Sequence, residues 1–298
     1  MKNTLMISLV ALFVGTLCLL SMGQNASKPL LPDVDSVFEQ TGKALPGDVA
    51  KYAWPRSDLH VEVKGTRVEP GLALGSWAAF KNEKEPNKSM VMGDLVLLNA
   101  EVNPVVESLQ QSGFQILAIH NHLMNESPSV LYVHYEGHGL AATLAQNLRA
   151  ALAKTATPMT SKPPAKATAA EEATFDKVQQ ALGKKGNLAG HVLQVSVPRK
   201  EKIEDAGMEI PPGMGMAIAI NFQSVGSEVA TSGDFALVGD EVNPVIHELT
   251  SHGIQVTALH SHMLNENPRL FFLHFWGLGT PEKIGEGLKA ALTKVNAG

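Results

Sequence analysis

Residues 93–139 read GDLVLLNAEVNPVVESLQQSGFQILAIHNHLMNESPSVLYVHYEGHG, and residues 233–279 read GDFALVGDEVNPVIHELTSHGIQVTALHSHMLNENPRLFFLHFWGLG. The two stretches align without a gap at an offset of 140, and 20 of their 47 residue pairs are identical. Self-similarity of this length indicates that one structural unit occurs twice along the chain. The sequence therefore predicts a duplicated fold, with each copy built around this stretch.

The repeat extends upstream of this stretch and sets the module boundaries. With small gaps, Pro55 matches Pro198. We place the first module at residues 38–153 and the second at 175–296, so that each has the size of a small domain. Residues 154–173 between them, KTATPMTSKPPAKATAAEEA, are rich in Pro, Ala, Thr and Lys. This composition predicts a flexible linker.

The second copy shows the element order most clearly. Apolar alternation and apolar runs predict three strands, a helix, two strands and a final helix. These elements cover residues 191–197, 215–222, 234–238, 243–251, 254–262, 270–276 and 281–295. An Asn followed by Pro, as at Asn243-Pro244, is typical of a helix start. The predicted fold class is α+β: a tandem duplication of a β-β-β-α-β-β-α module with mixed or antiparallel sheets.

Composition and charge narrow the class of protein. Apolar residues make up 44% of the chain and charged residues 18%, which is typical of a globular protein. The net charge is -5 and no basic stripe stands out. Because nucleic-acid binding depends on clustered positive charge, we expect no nucleic-acid partner.

The N-terminus resembles an export signal. Lys2 precedes an apolar run over residues 5–20, and the small residues Ser21 and Gly23 follow it. This pattern predicts a signal peptide over residues 1–23, cleaved after Gly23, and hence a secreted or periplasmic protein. A membrane anchor is the alternative, but the run is short of the roughly 20 residues that a span needs. We expect no membrane span after cleavage.

The single cysteine bears on both anchoring and chemistry. Cys18 lies within the predicted signal peptide, and Leu17 precedes it where a lipoprotein would need a small residue. Lipoprotein anchoring is therefore the less favoured alternative. The mature chain would have no cysteine, which excludes disulfides, a cysteine nucleophile and thiolate metal ligands.

Three histidines recur at matching positions in the two copies. His120 and His122 are two apart on a predicted strand, so their side chains share one face of the sheet. His134 lies on the next strand and would face His122 in a hairpin that folds about residue 128. Three imidazoles with an open fourth position are typical of catalytic zinc. The sequence therefore predicts a metal site at each of two trios, which are His120, His122 and His134 in the first copy and His260, His262 and His274 in the second.

Two alternatives to a metal site remain open. The histidines could serve metal-free catalysis, or they could be hydrogen-bonded structural residues. Zinc is the expected ion, because imidazoles are suitable ligands and the predicted site has neither thiolate nor thioether.

Repeated carboxylates are candidates to complete the site. Glu126 and Glu266 lie in the turn between the histidine strands. Each could be a fourth metal ligand, a partner that orients an imidazole, or an exposed turn residue. Glu101 and Glu241 are the candidate catalytic acid–base residues. A role at the helix N-terminus, where a carboxylate is stabilised by the helix dipole, is the alternative for this second pair.

Other repeated polar residues have weaker claims. Arg56 and Arg199 are candidates to bind an anionic substrate, with a surface role as the alternative. Asp94 and Asp234 follow a glycine and open a strand, so turn chemistry suffices to explain them. The remaining histidines have no counterpart in the other copy and are interpreted as incidental. They are His60, His138, His191, His247 and His252.

The run from Gly233 to Gly277, which includes His260-Ser261-His262 and His274, resembles the LppY/LpqO family. That family is named for mycobacterial lipoproteins and is largely a domain of unknown function. The resemblance covers nearly all of the mature chain. A more distant similarity is to the fold group of acetolactate decarboxylase and a zinc-dependent ester hydrolase. It implies zinc held by a His-x-His pair and a third histidine about a dozen residues further on.

These observations together suggest an exported protein that binds a metal ion, with zinc expected. The catalytic hypothesis is metal-dependent hydrolysis or lyase chemistry on a small carboxylate or ester. The alternative is a non-catalytic ligand- or metal-binding protein of the envelope. A small-molecule ligand is the expected partner, and the sequence makes no prediction of the oligomeric state.

Overall fold

The structure is a computed structural model that describes residues 30–160 and 164–298. The predicted signal peptide over residues 1–23, with Cys18, lies outside the described residues. No helix within the described residues is both long enough and apolar enough to cross a bilayer.

Each module consists of a six-stranded sheet with helices and short strands. The first comprises α1 (Pro32–Phe38), β1 (Lys43–Leu45), β2 (Val49–Pro55), β3 (Glu62–Val63), β4 (Thr66–Arg67), α2 (Pro70–Ala73), β5 (Gly75–Asn82), β6 (Lys88–Leu98), α3 (Asn99–Gln111), β7 (Gln115–His120), β8 (Glu126–Ser127), β9 (Val130–Leu140) and α4 (Ala141–Leu152). The second comprises α5 (Ala169–Leu182), β10 (Asn187–Ala189), β11 (Val192–Val197), β12 (Glu204–Asp205), β13 (Met208–Glu209), a 3₁₀ turn (Pro212–Met214), β14 (Ile218–Val225), β15 (Glu228–Leu237), α6 (Gly239–Ser251), β16 (Gln255–His260), β17 (Phe271–Gly279) and α7 (Pro281–Leu292).

The two large sheets have the same topology. Their strand orders are β1-β2-β5-β6-β9-β7 and β10-β11-β14-β15-β17-β16, and every neighbouring pair is antiparallel. The predicted α+β fold with a tandem duplication is confirmed, and of the two sheet types left open the antiparallel one is found. Each sheet has one edge strand more than predicted, and each module begins with an additional helix.

Several strand ends shift by a few residues, β15 begins at Glu228 rather than at residue 234, and two helix starts differ from the sequence prediction. Helix α5 begins at Ala169, inside the predicted linker over 154–173, because Thr168 and Glu171 form a capping box that starts the helix there. Helix α6 begins at Gly239 rather than after Asn243. Glu241 accepts a hydrogen bond from the Val238 amide and closes the first turn earlier than the Asn-Pro signal suggested.

Alternation along the central strands gives each sheet two different faces. On β6, Val91 and Leu95 point into a core shared with α1, α3 and α4. Met92 and Val96, at even positions, belong to apolar clusters that include side chains of the other module. Asp94 has the same parity, so its side chain also faces the second module.

Each module packs one of its connecting segments against the sheet of the other module. The segment containing α2 packs on β14 and β15, and the 3₁₀ turn of the second module packs on β2 and β5. Hydrogen bonds reinforce this exchange: the Glu69 amide donates to the Gln223 side-chain oxygen at 2.8 Å, and Asn221 donates to the Leu72 carbonyl at 3.0 Å. The inward faces of the two sheets are therefore held together, and the histidines lie between them.

Candidate metal centre

The histidine-bearing strands lie at one side of each sheet. In the first module β7 is the edge strand, and it pairs with β9, which pairs in turn with β6. On β9, His134 lies opposite both Asp94 of β6 and Ala118 of β7. His120 ends β7 opposite Tyr132. Because Tyr132 and His134 are two residues apart on one strand, His120 and His134 share a sheet face.

The predicted pairing of His122 with His134 is wrong in register. The hairpin turns about residue 126 rather than 128, because β8 pairs with β3 and is withdrawn from the hairpin. His122 therefore lies in the loop after β7, where its ring stacks on Tyr132 with centroids 3.5 Å apart. In the second module His262 stacks on Phe272 at 3.6 Å.

The two histidine trios form one cluster. We expected two separate sites, one in each module, but every imidazole stacks on an imidazole of the other module. The stacked pairs and their centroid distances are His120 with His260 (3.5 Å), His122 with His274 (3.7 Å) and His134 with His262 (3.8 Å). Since the offset of 140 relates His122 to His262 and His134 to His274, these contacts have an approximate two-fold symmetry.

Asp94 and Asp234, which were not among the predicted site residues, belong to the same cluster. Asp94 Oδ2 lies 3.8 Å from the Nε2 atoms of both His122 and His134. The carboxylate of Asp234 lies 3.8 Å from His262 Nε2 and 4.0 Å from His274 Nε2.

The turn interpretation of these aspartates is wrong, because both lie within central strands and their carboxylates face buried rings. Two signals were available in the sequence. Asp94 and Asp234 are identical in the two copies, and each lies on a strand beside a histidine strand.

Backbone carbonyls select the tautomer of several rings. The Nδ1 atoms of His120 and His260 lie 3.2 Å from the carbonyls of the next residues, Asn121 and Ser261, and His274 Nδ1 lies 3.1 Å from the Gly233 carbonyl. A carbonyl only accepts, so Nδ1 carries the hydrogen and Nε2 carries the lone pair. This is the arrangement typical of metal-ligating histidines.

The Nε2 atoms are buried without partners. Within residues 30–160 and 164–298, none of the six Nε2 atoms of the cluster has a hydrogen-bond partner, and the same holds for Oδ1 of Asp94 and Asp234. Orphaned buried polar atoms are rare, because each costs about 1–3 kcal/mol of desolvation. Eight such atoms in one place make this cluster the candidate metal centre of the described residues.

The donor atoms are close enough for shared coordination. Two overlapping sets have ligand atoms that all lie within 4.8 Å of one another. The first set is His120, His122 and His134, and the second is His120, His260, His262 and His274. Nitrogen and carboxylate ligands of tetrahedral zinc, with bonds of about 2.0–2.1 Å, lie roughly 3.3 Å apart. The observed carboxylate–imidazole distances need to contract only slightly to reach this geometry.

Burial also sets the charge of the cluster. It lowers the pKa of His120 to about 3 and that of His260 to about 4. Burial and neighbouring imidazoles also lower the pKa values of the other four histidines well below the usual value. Burial raises the pKa of Asp94 to about 8 and raises that of Asp234 well above its ordinary value. Neutral imidazoles are the form that binds a metal ion.

The structure places Arg56 and Glu101 in a buried ion pair rather than among the histidines. Arg56 Nη1 donates to Glu101 Oε2 at 2.7 Å and to the Val96 carbonyl at 2.8 Å, and its other nitrogens bind Asp58. Glu101 also accepts from the Leu98 amide and so caps α3. The geometry therefore favours the helix-cap alternative for Glu101, and it gives Arg56 a structural role instead of substrate binding.

The second module repeats this ion pair. Arg199 Nη1 donates to Glu241 Oε2 at 2.6 Å and to the Ala236 carbonyl at 2.7 Å, and Glu241 caps α6. Both groups are largely buried. Because its oxygens are engaged by Arg199 and by backbone amides, Glu241 is not placed for the predicted acid–base role.

Glu126 and Glu266 stabilise the turns between the histidine strands. Glu126 accepts from the Ser129 hydroxyl, and Glu266 accepts from the Leu270 amide at 2.9 Å and from Arg269. These contacts hold both carboxylates within the turns, although Glu266 is buried and is therefore not the exposed turn residue of the sequence alternative. The unmatched histidines with side-chain contacts are engaged elsewhere; His138, for example, binds Glu83 at 2.8 Å.

Comparisons with known proteins agree with the duplicated architecture. A family model described as "Domain of Unknown Function (DUF1259)" matches residues 32–154 and again residues 176–294. No curated protein matches the chain. A solved structure of a trimeric bacterial microcompartment shell protein, PduB, aligns at 13% identity over 85% of this chain and 89% of its own, with a TM-score of 0.22. A score this low supports no inference about fold or function.

Proposed function

The chain belongs to the family described as Domain of Unknown Function (DUF1259), and from this premise we propose that it is a transition-metal-binding protein whose histidine cluster binds zinc. One observation carries the proposal: all six Nε2 atoms converge, buried, with no hydrogen-bond partner in the described part of the chain. A purely structural histidine would be paired with a donor or acceptor.

The donor chemistry supports zinc over the harder cations. Neutral imidazole nitrogens and two carboxylates suit zinc and its transition-metal neighbours, whereas calcium and magnesium prefer oxygen ligands. The distant resemblance to the acetolactate decarboxylase group favours the same ion. Export to the periplasm or the medium, where the N-terminal pattern would direct the chain, is part of this proposal.

Catalysis at the centre is the second candidate. The observation that favours it is the partial exposure of His120 and His260, which end the edge strands β7 and β16. A bound zinc ion would supply Lewis-acid polarisation of a carbonyl. The substrate class is a small ester or carboxylate. Since Glu101 and Glu241 are engaged in ion pairs, neither is the proton-transfer residue in this proposal.

Metal analysis of purified protein tests the proposal. The protein should be prepared without a histidine tag, equilibrated with zinc and passed through a desalting column. Its zinc content per chain is then measured by inductively coupled plasma mass spectrometry. We expect bound zinc that remains after desalting, and its loss from the double variant His134→Ala/His274→Ala. His138→Ala is the matched control, because His138 lies outside the cluster. Wild-type protein with no more zinc than the double variant would overturn the proposal.

A second measurement separates binding from catalysis. Zinc-loaded and chelator-treated protein should be compared on a chromogenic ester such as p-nitrophenyl acetate. Zinc-dependent turnover that is lost in the His134→Ala/His274→Ala variant favours a hydrolase. Bound zinc without such turnover favours the non-catalytic metal-binding protein for this substrate class.

A further inference from the structure

We propose that the histidine cluster is a single paired-ion centre: two metal ions bind side by side between the modules, and their binding is coupled. This inference rests on the proposed metal-binding function and goes beyond it in number, position and dependence of the ions. The sequence alone suggested two independent sites, one in each half of the chain.

The number of donors argues for two ions. The cluster presents six imidazole nitrogens and two carboxylates, which divide by the 140-residue offset into two sets of three histidines and one aspartate. One tetrahedral zinc ion takes four ligands. It would leave four donors of the cluster buried, with no partner that the described residues provide, at a cost of about 1–3 kcal/mol each.

The contacts between the rings argue for a single centre. The imidazoles of the two sets stack across the module boundary with centroids 3.5–3.8 Å apart. An imidazole ring is small, so when two rings are in van der Waals contact their Nε2 atoms are also close together. The stacked rings therefore cannot belong to distant sites. The ions bound by these rings would therefore be neighbours, as in two-metal sites, where the separation is about 3.5–4 Å.

Sharing of His120 argues for coupling. His120 belongs to both sets of donor atoms that lie within 4.8 Å of one another: it joins His122 and His134 in one set, and His260, His262 and His274 in the other. It occupies the middle of the cluster, stacked on His260. A change at His120 therefore alters the surroundings of both ions, and the position of either ion depends on the other.

The carboxylates make a pair of dications acceptable in this buried place. Two neighbouring divalent ions repel each other, and the repulsion is strong where water is excluded. Asp94 and Asp234 supply one negative charge to each set when ionised. Each carboxylate lies within 4.0 Å of two imidazole nitrogens of its own set. The symmetric placement of one carboxylate for each trio matches one carboxylate for each ion.

Native mass spectrometry during a zinc titration tests the proposal on the untagged full chain. We expect the wild-type chain to bind two zinc ions at saturation. The variant His120→Ala should lose one ion and bind the other at least about tenfold more weakly, a loss typical of disturbed ligand surroundings. His138→Ala is the control and should bind two ions as the wild type does. Circular dichroism checks the fold, and His260→Ala is the second variant if His120→Ala does not fold.

Each outcome has a defined meaning. No bound zinc overturns the proposed function itself, whereas one zinc per chain overturns only the paired centre. Two ions, with His120→Ala losing one and keeping the other at unchanged affinity, indicate separate sites and also overturn this inference. Loading with cobalt(II) chloride adds a proximity measurement: two coupled cobalt ions give a weaker EPR signal per ion than isolated ones, and an unreduced signal would contradict the pairing.

Discussion

The imidazole rings of His120 and His260 lie face to face with their centroids 3.5 Å apart, although 140 residues separate them in sequence. Each is the counterpart of the other in the duplication, so this contact lies on the approximate two-fold axis that relates the modules. A residue that contacts its own counterpart on such an axis belongs to a cluster to which both modules contribute. The duplication has thus produced one composite centre, and neither module contains the whole of it.

The first prediction concerns the aspartates. Replacing Asp94 or Asp234 by Asn preserves the shape of the side chain and removes the negative charge near two imidazole nitrogens. We expect zinc affinity to fall by about 10–100-fold for each substitution, the range typical of groups that hold or orient metal ligands. Competition with a chromogenic zinc chelator measures the change.

The control for this prediction is Asp205→Asn, another buried aspartate, which accepts a hydrogen bond from the Ala206 amide. It should leave zinc affinity unchanged. Equal losses for Asp94→Asn and Asp205→Asn would mean that the effect is one of folding rather than of ligand chemistry.

The sequence contained the duplication, the α+β class with a mixed or antiparallel sheet, and the three histidines of each copy. It did not predict that the two histidine trios contact each other, because that contact depends on which face of each sheet packs against the other module. Local periodicity places His120 and His134 on one face but does not say what covers that face. The register failed at His122 for a similar reason: the short pairing of β8 with β3 is a long-range contact that alters the turn.

The roles of the repeated glutamates and aspartates also depend on long-range contacts that local sequence patterns do not show. Glu101 and Glu241 were attractive as catalytic groups because both copies have them, but recurrence marks structural residues as readily as functional ones. Their partners, Arg56 and Arg199, are 45 and 42 residues away in sequence, so the ion pairs are invisible to local patterns. Asp94 was passed over because its position after Gly93 suggested a turn.

The second prediction separates stability from metal binding. Arg199→Met leaves Glu241 without its cationic partner, whereas Glu241→Gln leaves Arg199 paired with Glu201 alone. Removing one partner of a buried ion pair costs about 3–5 kcal/mol, so we expect the free energy of unfolding to fall by about that amount for Arg199→Met, and by less for Glu241→Gln, in urea titrations. Zinc bound per folded chain should stay at the wild-type value. Loss of zinc with unchanged stability would instead restore Glu241 to the metal centre.

The third prediction concerns the glycine that precedes Asp94. A Cβ atom at Gly93 would lie 2.2 Å from the Tyr135 hydroxyl and 2.3 Å from the Trp77 carbonyl. Gly93→Ala must therefore displace a strand of the central sheet, and we expect a loss of about 1–3 kcal/mol or more together with weakened zinc binding. Gly75→Ala is the control, because a Cβ there meets no atom within 4 Å among the described residues. Thermal unfolding of both variants in the presence of chelator, followed by zinc titration, makes the comparison; a Gly93→Ala protein as stable as Gly75→Ala would contradict it.

The fourth prediction is that zinc binding releases protons from the aspartates and not from the histidines. Burial holds the pKa of Asp94 at about 8, so at pH 7 this carboxyl is largely protonated in the metal-free protein, and burial shifts the pKa of Asp234 in the same direction. The histidines are already neutral, because burial lowers their pKa values. Calorimetric titrations in buffers of different ionisation enthalpy should therefore show release of about one proton per chain from Asp94 at pH 7.

The sign of the pH dependence follows from this assignment. Below pH 8 the ion that Asp94 binds must displace the proton of its carboxyl, so apparent affinity should rise with pH by up to about tenfold per unit between pH 6 and 8. Ordinary imidazoles, with a pKa near 6.5, would give a rise that levels off above pH 7 instead. The double variant Asp94→Asn/Asp234→Asn should bind zinc more weakly, with a nearly flat profile over this range. A wild-type profile that levels off at pH 7, or a double variant that keeps the full slope, would assign the protons to the histidines and contradict the prediction.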